Sequence, residues 1–311
     1  MRVLVTGSSG FVGRWLSEDL AGAGHEVIPV SVDVDVRRAE DVRNVLAAAR
    51  PDAVAHLAAV AFAPDAATDP QVAFDVAVLG TINVLEQMRA LPHPPAILVS
   101  GSSEVYGAPA AEDLPLSESS PLRPHSPYSL SKAAQEGVAL GYAARLGLRV
   151  VVTRSFNHAG PGQRPEFVVP ALARRVLAVA NGEASEIPVG NVDVRRDLGD
   201  VRDVVRAYRQ LLEVAMHDGE PGRGLVVNVC TGRSVAIREI VDELARLAGI
   251  NPVLRVDPAL VRSTDAPEIR GDHSLLSSIT GWLPDRAITE TLRDVWAEVT
   301  ATQAQAVPSS S

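Results

Sequence analysis

The feature that most constrains the fold is a glycine-spaced turn close to the N-terminus. An apolar segment at residues 2–6 is followed by Gly7, Gly10 and Gly13, and a helical pattern then continues to about residue 23. Glycines allow a backbone to approach a pyrophosphate, and the N-terminus of a helix offers free N–H groups and a positive dipole end. The turn therefore predicts a strand–turn–helix unit that binds a dinucleotide. A tight turn in which the glycines serve only close packing is the alternative.

Downstream of this turn, predicted strands and helices alternate along the chain. Strands are predicted at 26–31, 32–36, 52–59, 95–99 and 148–153, and helices at 39–50, 70–91 and 127–146. Such alternation predicts an α/β fold with a doubly wound parallel sheet (Rossmann-like), which carries helices on both faces. The usual crossover between the second and third strands is very short here, because 32–36 follows 26–31 almost directly.

After residue 154 the chain changes character. A loop of turn-forming residues at 155–163 leads into shorter elements, with strands predicted at 186–189 and 225–229 and helices at 166–181, 200–216, 236–248 and 286–299. They predict a smaller α/β substrate-binding lid over the carboxyl edge of the sheet, where open α/β sheets bind ligands. We therefore expect a dinucleotide-binding domain at 1–160, with part of 195–218 packing on it, a mainly substrate-binding domain at 161–302, and a flexible tail at 303–311.

A tyrosine and a lysine are spaced for one face of the predicted helix at 127–146. Tyr128 and Lys132 are four residues apart, about one helical turn. A nearby ammonium favours the phenolate, so we expect the tyrosine pKa to fall from about 10 toward the working range. A tyrosine tuned in this way is a general acid or base for a carbonyl/alcohol pair. Ser102, just after the apolar run at 95–99, is placed to hydrogen-bond the same substrate oxygen.

Charge and composition exclude several classes of function. The 311 residues carry a formal net charge of −9, which argues against a surface for nucleic acid or anionic membranes. One cysteine, Cys230, rules out an internal disulfide framework and fits a reducing compartment. The sequence contains neither a secretion signal nor an apolar run of about 18 residues. We therefore expect a cytoplasmic protein with no membrane or nucleic-acid partner and no metal site.

The glycine turn, Ser102 and the Tyr128–Lys132 pair together resemble the extended short-chain dehydrogenase/reductase family, which acts on nucleotide sugars. The resemblance runs from Arg2 to about Trp296. More specific blocks are similar to the GDP-mannose 4,6-dehydratase and GDP-4-keto-6-deoxymannose reductase branch of that family. These blocks are 101–107, 123–128, 156–163, 189–191, 196–197, 200–203 and 262–267.

Within this branch, the loop at 160–163 and the segment at 200–203 are more similar to the reductase, and the short second crossover argues against the dehydratase. The resemblance implies NAD(P)H-dependent reduction of the C4 keto group of a nucleotide-diphospho-sugar. The expected substrate is GDP-4-keto-6-deoxy-D-mannose, and the product a GDP-6-deoxyhexose such as GDP-D-rhamnose. The alternatives are a GDP-mannose 4,6-dehydratase or related nucleotide-sugar epimerase or dehydratase, and a non-catalytic dinucleotide-binding protein.

The resemblance also implies roles for individual residues. Tyr128 would protonate the developing alkoxide, Ser102 would hydrogen-bond it, and Lys132 would also hold the nicotinamide ribose. Glu104 is either a proton-transfer group or an acceptor for a substrate hydroxyl. The implied cofactor-binding residues are Gly7, Gly10, Phe11, Val12, Gly13, Asp35, Leu57, Ala58, Ala59, Tyr128 and Lys132. The implied substrate-binding residues are Ser103, Glu104, Asn157, Arg196, Arg262 and Asp265.

The choice between NAD and NADP stays open on the sequence. Ser31 ends the second predicted strand, where an acidic residue often holds the ribose 2′-OH. Asp33 could substitute for that acid, whereas Arg37 and Arg38 would suit the 2′-phosphate of NADP. In a further departure, Ala77 stands where the family has an asparagine, which puts in doubt a water or backbone contact near the catalytic serine.

Two predicted helices bear on the oligomeric state. The segments 70–91 and 127–146 resemble the helix pair through which this family dimerises as a four-helix bundle. Ala133, Ala134 and Ala139 would permit close approach of the helices there. We therefore expect a homodimer.

Overall fold

A parallel six-stranded sheet lies at the centre of the described part of the chain. The computed structural model describes residues 1–216, 223–261 and 266–306. The sheet has the strand order β2–β1–β3–β4–β5–β9, and every neighbouring pair in it is parallel. In chain order the strands of the structure are β1 (Arg2–Thr6), β2 (Glu26–Pro29), β3 (Ala53–His56), β4 (Ala96–Ser100), β5 (Val150–Ser155), β6 (Asn157–Ala159), β7 (Glu186–Val189), β8 (Arg195–Asp200), β9 (Arg223–Val229), β10 (Ser234–Ala236), β11 (Val253–Val256) and β12 (Glu268–Ile269).

Helices connect these strands and cover both faces of the sheet. In chain order the α-helices are α1 (Phe11–Gly22), α2 (Ala39–Ala49), α3 (Ala63–Thr68), α4 (Pro70–Phe74), α5 (Gly80–Arg89), α6 (Pro127–Leu146), α7 (Val168–Ala180), α8 (Val201–Met216), α9 (Ile237–Ala248), α10 (Ser274–Thr280) and α11 (Ile288–Ala306). None of the helices in the described ranges is long and apolar enough to cross a bilayer.

A layer of helices packs on each face of the sheet, because the strands point apolar side chains to both faces. Val3 and Val5 of β1 pack on one face with α1 and α8, and Leu4 packs on the other face with α2. Helices α5 and α6 complete the second layer. Strands buried on both faces are typical of parallel sheets. The predicted doubly wound fold is therefore confirmed.

The alternating segment at 32–36 is not a strand, so that prediction was wrong. The Asp35 carboxylate accepts a hydrogen bond from the backbone N–H of Arg37 at 3.0 Å, and the Ser31 hydroxyl accepts one from that of Asp33 at 3.3 Å. Such local side-chain-to-backbone bonds stabilise turns in competition with a strand. Residues 30–38 consequently join β2 directly to α2 as a loop. Helix α2 lies in the crossover from β2 to β3, so the prediction of a very short second crossover was also wrong.

The strand predicted at 225–229 exists, but it does not lie in the lid. β9 pairs in parallel with β5, and Val227 and Val229 enter the same apolar layer as α8. This pairing satisfies backbone groups of β5 that would otherwise form an open sheet edge. The sixth strand of the central sheet thus comes from the C-terminal half of the chain.

The long helix predicted at 70–91 is interrupted in its middle. Helix α4 continues into a π-helical turn, Asp75–Leu79, before α5 begins at Gly80. Single π-helical turns inside helices occur frequently at functional sites. Ala77 lies in this turn, is buried, and its carbonyl accepts a hydrogen bond from the Thr81 hydroxyl at 2.6 Å.

The lid has an apolar core of its own. Leu172 and Val176 of α7, Leu244 of α9 and Leu292 of α11 pack together beside the parallel pair of β7 and β11. Helix α11 continues to Ala306 and so includes the first four residues of the predicted tail, where alanine and glutamine favour helix. Residues 307–311 lie outside the described part of the chain.

Candidate active site

A cleft of about 1060 Å³ separates the carboxyl ends of the central strands from the lid. The turn after β1, the segment after β3 and the turn after β4 line it from the sheet side. The loop after β5, helix α7 and residues 189–196 line it from the lid side. This is the position at which open α/β sheets bind their ligands. The cleft is therefore where the predicted site residues should meet.

The glycine turn has the geometry that a dinucleotide requires. Gly7 has φ of +68°, a left-handed conformation, and its carbonyl accepts a hydrogen bond from the N–H of Gly10 at 3.0 Å. A Cβ atom on Gly13 would lie 2.2 Å from the Gly7 oxygen, so only glycine allows α1 to begin this close to the turn. Gly7, Gly10, Phe11, Val12 and Gly13 all line the cleft, as expected. The N-terminus of α1 therefore opens toward the ligand space.

The wall after β3 is fixed from behind by a threonine. The Thr6 hydroxyl accepts hydrogen bonds from the N–H groups of Leu57 at 3.1 Å and Ala58 at 3.2 Å. Leu57, Ala58 and Ala59 line the cleft next to the glycine turn. These three predicted cofactor residues thus lie against the same space as the turn.

Helix α6 places Tyr128 and Lys132 in the cleft. Pro127 is its first residue, and the Ser126 hydroxyl caps it by accepting a hydrogen bond from the N–H of Ser129 at 3.1 Å. Tyr128 therefore lies in the first turn and lines the cleft together with Ser102. Ser102 follows β4 and starts the 3₁₀ turn that carries Ser103 and Glu104 into the cleft. The four predicted catalytic residues are brought together.

The expected lowering of the Tyr128 pKa does not occur in this structure. Burial, and secondly the charge of Glu104, raise the pKa of Tyr128 well above its usual range. The Lys132 ammonium instead donates hydrogen bonds to the carbonyl of Ser100 at 2.8 Å and to Oε1 of Gln135 at 3.0 Å. Burial lowers the pKa of Lys132 to about 8. Tyr128 is therefore a protonated acid near neutral pH.

The predicted substrate residues are only partly assembled. Asn157 and Arg196 line the lid side of the cleft, and Ser103 and Glu104 line the opposite side. Arg196 donates from Nη1 to the carbonyls of Arg195 at 2.8 Å and Ala266 at 2.9 Å. The remaining two predictions, Arg262 and Asp265, lie outside the described residues.

Asp35 lies apart from the residues that line the cleft. Its carboxylate is held by the guanidinium of Arg37 at 2.7 Å. That interaction lowers the pKa of Asp35. Contact of Asp35 with the adenine stays a prediction.

The sequence did not reveal the residues that hold Lys132. Gln135 and Thr81 are fully buried and are hydrogen-bonded to each other at 2.9 Å. The spacing of Gln135, three residues after Lys132 on the same helical face, was the available signal.

A second set of residues that sequence reasoning missed spans the cleft. Arg164 on the lid side pairs with Asp65 at 3.1 Å and lies over the ring of Phe62. Phe62 also packs against Phe167, with ring centroids 5.1 Å apart. These contacts connect the two sides of the cleft.

Comparison with known proteins agrees with this geometry. A family model described as GDP-mannose 4,6 dehydratase matches residues 29–295. GDP-6-deoxy-D-mannose reductase from Pseudomonas aeruginosa is 37% identical over 300 residues, which cover 96% of this chain and 96% of that protein. The structure of RMD from Pseudomonas aeruginosa complexed with NADPH superposes with a TM-score of 0.89 at 35% identity, covering 97% of this chain and 99% of that one. UDP-glucose 4-epimerase from Thermus thermophilus, in complex with NAD, superposes with a TM-score of 0.83 at 30% identity, covering 96% and 99%.

Proposed function

Because this chain belongs to the GDP-mannose 4,6-dehydratase family, we propose that it is an NAD(P)H-dependent reductase of a nucleotide-diphospho-sugar. It reduces the C4 keto group of GDP-4-keto-6-deoxy-D-mannose to give a GDP-6-deoxyhexose such as GDP-D-rhamnose. The observation that carries this proposal is that Tyr128, Ser102 and Lys132 line one cleft together with the glycine turn. The similarity to a reductase over nearly the whole chain supports it.

The residues of the cleft fit a nicotinamide dinucleotide. The turn at Gly7, Gly10 and Gly13 and the N-terminus of α1 would hold its pyrophosphate, and the wall at 57–59 would lie beside it. Lys132, which lines the same cleft, would hold the nicotinamide ribose. The bound reduced cofactor supplies the hydride.

Tyr128 supplies the proton of the reaction. As hydride reaches C4, the carbonyl oxygen gains negative charge, and the tyrosine hydroxyl donates its proton to that oxygen. Ser102 donates a hydrogen bond to the same oxygen and stabilises the charge before the proton has moved. A phenol whose pKa is raised suits this direction, because it is fully protonated when a keto sugar binds.

A dehydratase is the second candidate, and Glu104 favours it. The carboxylate lies in the cleft near Tyr128, where it could take a proton from a sugar carbon. A dehydratase begins by oxidising C4, so it needs Tyr128 as a base. The similarity to a reductase over nearly the whole chain favours reduction instead. The reductase is therefore the better-supported of the two.

Arg196 and Asn157 are proposed to bind the substrate at the lid side of the cleft. A guanidinium makes forked hydrogen bonds to phosphate oxygens, which suits the diphosphate of a nucleotide sugar. We propose that Arg262 and Asp265 also bind the substrate, and that 161–302 is mainly the substrate-binding domain. The single cysteine, Cys230, is buried and favours a reducing, cytoplasmic location.

We also propose a homodimer formed through α4, the π-helical turn, α5 and α6. Phe74, Leu79 and Leu130 keep 36%, 42% and 44% of their surface exposed there. Ala139, which was placed at this interface, is instead fully buried in the core of its own subunit. Gly137 and Gly141, which have open space around them, would permit the close approach.

Two incubations distinguish the reductase from the dehydratase. GDP-4-keto-6-deoxy-D-mannose with NADPH or NADH should lose the absorbance of the reduced nicotinamide in proportion to product, whereas GDP-mannose with a trace of oxidised cofactor should give no keto sugar. The reverse pair of results would establish the dehydratase. The Glu104→Gln variant is informative in both assays, because a dehydratase would lose its activity and the reductase would keep most of it.

A further inference from the structure

Lys132 is the only lysine of the chain, and it is buried in the active site. The sequence contains 29 lysine and arginine residues, of which all others are arginine. Lys132 keeps 3% of its surface exposed and donates to the carbonyl of Ser100 and to Oε1 of Gln135. An ammonium has three donors, so these two bonds leave one N–H for the cleft, which Lys132 lines. The position of this third donor depends on the two acceptors.

The acceptor on Gln135 is fixed by Thr81. The Thr81 hydroxyl lies 2.6 Å from the carbonyl of Ala77, to which it can only donate. Its oxygen must therefore accept the hydrogen bond that joins it to Gln135 at 2.9 Å, so the side-chain NH₂ of Gln135 faces Thr81. The carbonyl oxygen of the same amide is then turned toward Lys132. A free amide in this place could equally present its NH₂ group to the ammonium, which would repel it.

The same logic extends from Thr81 to the cofactor wall. Nε2 of His56 lies 3.1 Å from the Thr81 oxygen and must be its second donor, so Nδ1 accepts from the Thr6 hydroxyl at 2.9 Å. The Thr6 oxygen in turn accepts from the N–H groups of the wall at 57–58. His56 is fully buried, and burial lowers its pKa to about 3, so it remains neutral. The donor and the acceptor of every hydrogen bond from the wall to Lys132 are therefore determined. The bonds from the wall and the bonds from Lys132 both run toward Thr81, which donates to the carbonyl of Ala77.

We propose that Gln135 is a positioning residue for Lys132, and that Thr81, His56 and Thr6 fix its amide so that the carbonyl oxygen faces the ammonium. The chain of hydrogen bonds connects the cofactor wall to the lysine and uses the carbonyl of Ala77 in the π-helical turn as its anchor. The inference rests on the proposed function for its catalytic consequence only. The orientation of the amide follows from the hydrogen bonds alone.

Other charges in the region leave Gln135 as the side-chain acceptor of Lys132. Glu136, the next residue of α6, is bound to Arg154 by two hydrogen bonds, and the neutral His56 cannot pair with an ammonium. Among the described residues, the titratable groups beside the Tyr128–Lys132 pair are Glu104 and Tyr208 next to Tyr128, His56 next to Lys132, and Glu136 one turn further along α6.

The single lysine makes the proposal directly measurable. Protein grown with ¹³Cε-labelled lysine gives one side-chain resonance, and its shift against pH reports the midpoint of Lys132 without substrate or cofactor. In Gln135→Leu the ammonium loses an acceptor, so we expect the midpoint to fall by about one unit, since a hydrogen bond to a charged group is worth about that much. In the nearly isosteric Gln135→Glu variant a carboxylate faces the ammonium, so we expect the midpoint to rise.

Two variants of Thr81 test the hydrogen bonds behind Gln135, and a third variant, at Gln210, is the control. Thr81→Val removes the hydroxyl that orients the amide and should lower the midpoint of Lys132, as Gln135→Leu does. Thr81→Ser keeps the hydroxyl and should leave the midpoint at the value of the unsubstituted protein. Gln210→Leu makes the matched substitution at a half-buried glutamine of α8 and should leave the midpoint unchanged.

Turnover then connects the titration to catalysis. We expect kcat of Gln135→Leu to fall by about tenfold, with the pH profile shifted in parallel with the NMR midpoint. An unchanged midpoint in both Gln135 variants would overturn the proposal, whatever the activity. Shifted midpoints in a protein that reduces no keto sugar would refute the proposed function and leave the role of Gln135 intact.

Discussion

At the scale of single residues, the chemistry of the site depends on the protonation states of Tyr128 and Lys132. Burial keeps Tyr128 protonated and lowers the pKa of Lys132 to about 8, so Lys132 is still mostly an ammonium at neutral pH. The sequence pattern singled out Tyr128, Lys132 and Ser102, and the structure brings them into one cleft. It gave the wrong direction for the shift of the Tyr128 pKa, because that shift depends on desolvation by the folded chain and on the position of Glu104.

Removing the phenolic proton should abolish reduction while leaving the fold intact. In Tyr128→Phe we expect kcat to fall by about 10²-fold or more, the usual contribution of a positioned general acid. Binding of the reduced cofactor, measured by its fluorescence, should remain. Turnover equal to that of the unsubstituted protein would contradict the assigned role.

The buried His56 predicts a specific acid sensitivity. Its pKa is about 3 in the folded chain against 6.5 in the unfolded one, so below pH 6.5 the unfolded state binds a proton that the native state does not. Stability should therefore fall as the pH drops from 6.5 toward 3, by on the order of 4 kcal/mol from this group. In His56→Gln the neutral amide can still donate to Thr81, and urea unfolding should show a shallower loss over this window. An identical pH dependence would contradict the prediction.

At the scale of elements, apolar periodicity predicted most helices correctly and failed where side chains bond locally. Helices α2 and α6 begin at the predicted residues. Helix α6 has the Ser126 cap and Pro127 at its start, and α2 has an apolar face with Glu40 and Asp41 in its first turn. The loop at 30–38 was misassigned, because Asp35 and Ser31 satisfy backbone groups that a strand would have used. The π-helical turn at 75–79 leaves no periodic signal, since it is set by packing against α6.

A buried ion pair fixes α6 to the sheet. Arg154 of β5 and Glu136 of α6 keep 6% and 5% of their side chains exposed and are joined at 2.5 and 2.9 Å. Arg154 also donates to the hydroxyl of Tyr106 and thereby holds the segment that follows Glu104.

Breaking one half of this pair should be costly. We expect Arg154→Leu to lower the free energy of unfolding by about 3–5 kcal/mol, because Glu136 is left buried and unpaired. The double variant Arg154→Met with Glu136→Leu should recover much of that loss. Both are measured by urea unfolding, and a loss under about 1 kcal/mol in the single variant would show that the pair behaves like an exposed one.

At the scale of the whole molecule, the sequence predicts a sheet and a lid, and the structure contains both. They differ on which segments of the chain belong to the sheet. Helix α8 packs on the central sheet, and β9, whose segment was predicted as part of the lid, forms the sixth strand of that sheet. Sequence order alone cannot predict this return, because a buried parallel strand reads the same in either domain. Across the cleft, Arg164 pairs with Asp65 and lies over the ring of Phe62.

The exposed apolar surface on α4–α6 predicts a dimer. Carboxylates introduced into that surface should dissociate it. We expect light scattering to give a dimer for the unsubstituted protein and a monomer for the double variant Leu79→Glu with Leu130→Glu, since two carboxylates would be buried in the bundle. Leu283→Glu is the matched control, as Leu283 is 59% exposed elsewhere and its replacement should leave the dimer intact. A monomeric unsubstituted protein at micromolar concentration would contradict the interface.

The central claim is that hydride passes to C4 of a GDP-linked keto sugar while Tyr128 gives the proton. The most direct measurement is the mass and NMR spectrum of the product formed from GDP-4-keto-6-deoxy-D-mannose with NADPH carrying deuterium at the transferable C4 position of its nicotinamide. We predict a GDP-6-deoxyhexose with one deuterium at C4 of the sugar, and no such product from Tyr128→Phe. A product without the label, or unreacted keto sugar beside intact cofactor, would contradict the account.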